Sequence, residues 1–131
     1  MPSLIPSLLL DPVWRKTRLR AALTLYAVIL LMGSVPGARA EIGNVASGLV
    51  LHSLAYGGLA LLLFTGSVGS PRARAVKAVL CIMAMGAIDE LIQSQLPYRH
   101  GAVSDWLVDV NAAVIMSGLL WAFLPAPLAP R

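Results

Sequence analysis

The apolar positions of this chain gather into four runs, at residues 21–35, 42–64, 75–96 and 104–124. A helix needs about 20 predominantly apolar residues to cross a bilayer, and the runs approach or reach that length. Helix-breaking residues separate them. Pro36-Gly37 ends the first run, a Gly/Ser/Pro turn follows the second, Pro97 stops the third, and Pro125 and Pro127 stop the fourth. Ser104 with Asp105 reads as a helix start, because Ser can cap and Asp favours the positive end of the helix dipole. The pattern predicts an all-α fold, an integral membrane bundle of four transmembrane helices.

Basic residues orient such a bundle. Arg15, Lys16, Arg18 and Arg20 precede the first run, and Arg72, Arg74 and Lys77 lie between the second and third. The other two connections carry only Arg39 with Glu41, and Arg99 with His100. Both termini are therefore expected to be cytoplasmic. Three parts follow: a basic cytoplasmic or interfacial segment over 1–20, the four-helix domain over 21–124, and a short Pro-rich tail over 125–131. Residues 1–14 read as an interfacial amphipathic segment or an apolar leader. An alternative reading takes residues 21–40 as a secretory signal cleaved after Ala38-Arg39-Ala40, which leaves three spans.

Composition agrees with a bilayer environment. Of 131 residues, 58% are hydrophobic and 12% are charged, with mean hydropathy +0.80. A soluble domain carries about 25% charged residues. The net charge of +4 is not a nucleic-acid signal, because the basic residues lie in short clusters between apolar runs. The single cysteine, Cys81, excludes an intramolecular disulfide and a cysteine-based metal site. Inside an apolar run it reads as a small buried residue. Gly57, Gly58, Gly86 and Gly118 read as close-packing positions, and Trp14, Trp106 and Trp121 fall near expected interfaces.

One stretch breaks the apolar pattern. Asp89, Glu90, Asp105 and Asp109 are four of the chain's six carboxylates. Ionisable groups within a membrane span are costly and mark sites. At 1.5 Å per residue, His52 would lie about 15 Å into the second span, and Asp89 and Glu90 about 18–22 Å along the third. Gln93 shares their face, and Asp105 and Asp109, four apart, share another. Arg99 can turn back toward the acids. The expectation is one outward-opening polar pocket lined by His52, Tyr56, Asp89, Glu90, Gln93, Arg99, Asp105 and Asp109, with Asn111 at its edge. The architectural alternative has Arg99 pairing with Asp105 or Glu90 to pin a loop, and His52 clamping two helices.

Arg99 with the acids suits a phosphate or carboxylate ligand. Clustered acids and a histidine beside a carboxylate suit acid/base work, with Asp89, Glu90 and His52 as candidates. There is no nucleophile elbow and no Gly-rich phosphate loop. The acids offer oxygen ligands to Mg²⁺ or Ca²⁺, but their spacing matches no metal motif, so no metal or cofactor is assigned.

The run Asp89-Glu90-x-x-Gln93, then Pro97-x-Arg99, then Ser104-Asp105 and Asp109, resembles the VanZ-like family of membrane proteins, and His52-x-x-x-Tyr56 matches that family's element in the second span. The likeness covers about residues 20–124. Three positions depart from the family pattern: Gly48-Leu49 stand where Asp-Lys is frequent, and Ala112 stands where Gly is common. The resemblance implies a bacterial cytoplasmic-membrane protein with an envelope-related role, in a family named for resistance to the lipidated glycopeptide teicoplanin. Three functions compete. The first is a non-catalytic protein holding a lipid-linked envelope precursor or lipidated glycopeptide, with Arg99 on an anionic group. The second is a small intramembrane enzyme acting on a lipid-linked substrate. The third is a proton- or ion-coupled transporter, which four short helices could form only as a homo-oligomer.

Overall fold

The computed structural model describes residues 4–124. The Pro-rich tail at 125–131 lies outside them. The chain is helical and contains no strand among the described residues. A short helix α1 (Leu4–Leu10) leads through a 3₁₀ turn (Pro12–Trp14) into α2 (Arg15–Ser34). A short α3 (Ala38–Gly43) precedes α4 (Gly48–Gly66), α5 (Pro71–Ser94) and α6 (Val103–Phe123).

Local chemistry sets the starts. Ser47 caps α4 by accepting from the Val50 N–H at 3.3 Å, and Ser70 caps α5 by accepting from the Ala73 N–H at 3.2 Å, with Pro71 at the first helical position. The second apolar run is thus not one helix from residue 42. Its first two residues are the end of α3, and α4 begins at Gly48. His52 then lies only about 6 Å from the start of its helix, not 15 Å. The first helix begins earlier than its apolar run, at Arg15, so the boundary expected at residue 20 falls inside α2. Ser104 does not cap α6. Ala102 takes that position in extended conformation, and its N–H is committed to Glu90. Asp105 does fall in the first turn.

Among the described residues, three stretches are long and apolar enough to cross a membrane: Pro12–Ser34, Gly48–Gly66 and Val103–Phe123. The third expected span, α5, has 24 residues but carries Arg72, Arg74, Lys77, Asp89 and Glu90, so its apolar content falls short. The helices pack around a core of small and aromatic residues that includes Ala22, Tyr56, Leu59, Ala60, Phe64, Ala78, Ile82 and Ala113. Large apolar side chains face outward, among them Leu23, Leu31, Leu54, Leu91 and Phe123. An apolar exterior over long apolar helices marks a membrane protein with a bilayer as its surroundings.

Two expectations about single residues are corrected. Cys81 is exposed, because it sits on the outer face of α5 and not in the core. Gly118 is not a close-packing position, since a Cβ there would meet nothing within 4 Å.

The C-terminal end of α4 is closed by two buried arginines from other helices. Arg18 of α2 donates from Nη2 and Nε to the Thr65 carbonyl at 2.9 and 3.1 Å, and from Nη1 to the carbonyls of Leu8 and Asp11 at 2.6 and 3.2 Å. Arg74 of α5 donates to the Phe64 carbonyl at 2.9 Å, with its guanidinium 4.7 Å from the centre of the Phe64 ring. The last carbonyls of a helix lack intrahelical donors and carry negative partial charge, so cations suit that place. Two of the residues read as orientation charges are therefore buried structural caps.

Candidate functional site

The opposite end of the bundle gathers the acids. Asp89, 2% exposed, is held between α4 and α5. One of its oxygens accepts from the Tyr56 hydroxyl at 2.9 Å and the other from the Gln93 side-chain amide at 2.8 Å. Gln93 lies one turn beyond Asp89, which is the spacing that lets the two meet on one helix face. The other end of the Gln93 amide accepts from the Arg99 guanidinium. Arg99 therefore reaches Gln93 and not a carboxylate. Asp89 already has two neutral donors, and the amide oxygen is the acceptor left within reach. The second Arg99 nitrogen, Nη1, is buried without a hydrogen-bond partner among the described residues.

A second group lies between α4, α5 and α6. His52 Nδ1 stands 2.7 Å from Asp109 Oδ1, and His52 Nε2 stands 3.8 Å from Asp105 Oδ2. The four-residue spacing of the two aspartates turns both toward the same imidazole. Asp109 is fully buried and His52 is 9% exposed. The His52 ring stacks on Tyr56, with centroids 6.1 Å apart, and so joins this group to the Asp89 group. Glu90 accepts from the Ala102 N–H at 2.6 Å through Oε2. Its Oε1 and Asp109 Oδ2 are buried without a hydrogen-bond partner among the described residues.

Small residues make these approaches possible. Gly101 lies against the backbone carbonyl of Glu90, closer than any Cβ would allow, and this brings the Ala102 N–H to the carboxylate. A Cβ on Gly86 would stand 3.0 Å from Asp109 Oδ2 and 3.1 Å from the Trp106 ring. Trp106 is half-buried and donates to the Met83 carbonyl at 2.9 Å, which ties α6 to α5. Tyr26 ties α2 to α5 through the Met85 carbonyl at 2.9 Å, and Tyr98 reaches the Ser34 carbonyl at 2.6 Å.

A cavity of about 200 Å³ opens beside Asp89. Val28, Ile29 and Met32 of α2, Ile42 of α3, and Leu51 and Ala55 of α4 form its apolar wall. His52, Tyr56, Asp89, Gln93, Arg39 and Arg99 form its polar side. Glu90, Asp105 and Asp109, expected in the same lining, belong to the adjoining group around His52 instead. Asn111 belongs to neither, since it is exposed and donates to the Leu107 carbonyl of its own helix at 2.8 Å.

Sequence reasoning missed Arg39, because its place in the cavity depends on the short α3 setting its side chain beside Gly48 at the start of α4. The end of the Arg39 side chain lies against Gly48, where a Cβ would make it shift. It also missed the Ala102 N–H, which no side-chain pattern can announce. No family model matches the chain, and neither does any curated protein or solved structure.

Proposed function

We propose that this chain is a VanZ-like protein of the bacterial cytoplasmic membrane, crossing it four times with both termini cytoplasmic. In this reading α5 also spans, as the third of four, with its acids turned into the bundle and its basic residues at the cytoplasmic end. A 24-residue helix is about 36 Å long, enough to cross. The protein holds an anionic amphiphile of the cell envelope, a lipid-linked precursor or a lipidated glycopeptide, at the outer side.

The observation that carries this reading is the two-sided cavity. Arg39 and Arg99, on a polar side shared with His52, Tyr56, Asp89 and Gln93, face an apolar wall, which suits a ligand with a negative head and a greasy body. Arg99 keeps a buried donor free for a phosphate or carboxylate oxygen. A cavity of about 200 Å³ holds a head group or one chain segment, not a whole lipid, so the remainder of the ligand lies along the exposed apolar helices.

Native mass spectrometry of the detergent-purified protein tests the proposal, with wild type beside Arg99→Ala. A co-purifying lipid or lipid-linked species in wild type, reduced at least several-fold in Arg99→Ala, is expected. A wild-type protein that retains no such species, or a variant that retains it equally, would count against it.

A second reading has one observation in its favour. His52 is oriented by a buried carboxylate, the arrangement that prepares an imidazole for proton transfer. An intramembrane enzyme would use His52 and Glu90, and not Asp89, whose oxygens are both engaged. Glu90→Gln would then abolish turnover of a lipid-linked substrate while leaving it bound.

A further inference from the structure

The group around His52 has a property that the cavity reading does not use. One nitrogen of His52, one oxygen of Glu90 and one oxygen of Asp109 lie within 4.8 Å of one another, and all three residues are buried. Glu90 is 8% exposed and Asp109 is 0% exposed. Each has one carboxylate oxygen engaged with a donor and one left without any among the described residues. Asp89 shows what a satisfied carboxylate looks like in the same bundle: both oxygens have neutral donors. A free oxygen on each of two neighbouring buried acids is costly, because burial strips it of water. Asp105 adds a further negative charge 3.8 Å from the same imidazole.

We propose that His52, Glu90 and Asp109 bind a first-row divalent cation such as Mn²⁺ or Zn²⁺. One imidazole with two carboxylates is a borderline donor set that suits these ions. Ligand atoms about 2.1 Å from a common ion lie roughly 3–4 Å apart, so binding draws the three groups together by up to about 1–2 Å. The ion supplies the positive charge that two unsatisfied oxygens call for. Asp105, with its side chain 34% exposed, stands at the rim and gives the ion a polar way in. The three ligands come from three helices, so no spacing in the sequence could display them. The proposal rests on this geometry and not on the amphiphile reading, and either can fail without the other.

The test uses the full chain in detergent, stripped with a chelator and titrated with Mn²⁺ while the free-ion electron paramagnetic resonance signal is followed. One saturable Mn²⁺ per chain is expected, displaced by Zn²⁺, which binds such donors more tightly. Bound Mn²⁺ should show nitrogen coupling in pulsed spectra. That coupling should persist in His100→Gln, the other histidine variant, and vanish in His52→Gln. Asp109→Asn and Glu90→Gln should each weaken binding about tenfold or more, while Glu41→Gln, at an exposed acid, leaves it unchanged. Wild-type protein that binds no Mn²⁺ saturably overturns the proposal. So does bound Mn²⁺ without nitrogen coupling, a readout that needs no variant to fold.

Discussion

The two ends of α4 handle buried charge in opposite ways. At its C-terminal end, Arg18 and Arg74 spend their donors on backbone carbonyls, and every contact closes a helix end or ties the leader to the bundle. At its N-terminal end, His52 faces two aspartates, and the neighbouring acids keep free oxygens. Both ends bury ionisable groups under helices with apolar exteriors, so burial by itself does not separate architecture from a site. Unused hydrogen-bonding capacity does. The arginines have converted their capacity into fold stability, and the acids and Arg99 have kept part of theirs.

Removing Arg18 should have the largest effect. Arg18→Met leaves the Thr65 carbonyl without its side-chain donors and frees the leader, and should cost about 3 kcal/mol in reversible unfolding from mixed micelles. Asp109→Asn, which can still accept from His52, should cost far less by the same measurement. The reverse order would break the comparison, making the acid end the structural one.

Tyr56→Phe sharpens it within the acid end. It removes a donor from Asp89, the one acid with both oxygens satisfied, and should destabilise by roughly 1–2 kcal/mol. Metal titration should be nearly unchanged, because Tyr56 offers no oxygen to the His52 group. A large loss of ion binding would show the two groups to be one.

The smallest effects concern glycines. Gly86→Ala pushes a methyl against Asp109 and Trp106 and should cost about 1 kcal/mol, with a measurable loss at the acid end. Gly118→Ala has open space and should stabilise its helix by about 0.5–1 kcal/mol. Thermal unfolding of both variants beside wild type reads the difference.

The helices were legible because apolar runs and Ser or Pro signals are local. So were the Asp89–Gln93 and Asp105–Asp109 faces, which depend only on helical repeat. Legibility ended where the chain meets itself across distance. Arg99 was expected to turn toward the acids, with Asp105 or Glu90 as its partner in the architectural alternative, but it donates to the Gln93 amide instead. Arg18 and Arg74 looked like loop charges, because the carbonyls they cap belong to another helix. Ser104 looked like a cap, but Ala102, held by Glu90, takes that place two residues sooner. In each case a partner remote in sequence outbid the local rule.

The uneven composition of α5 bears on how the protein is made. In a four-span arrangement, this helix must enter the lipid carrying Asp89 and Glu90 in its last two turns, where each acid opposes insertion by less than the roughly 2.5–3.5 kcal/mol of a central one. Alone it would tend to slip back to water. Residues 67–70 are a short connection to the strongly apolar α4. The two helices would then insert as a hairpin, and the acids would be sheltered only when α6 arrives with its own. Biogenesis of this protein would thus be cooperative: the segment that makes the interior polar is admitted to the membrane by its neighbours.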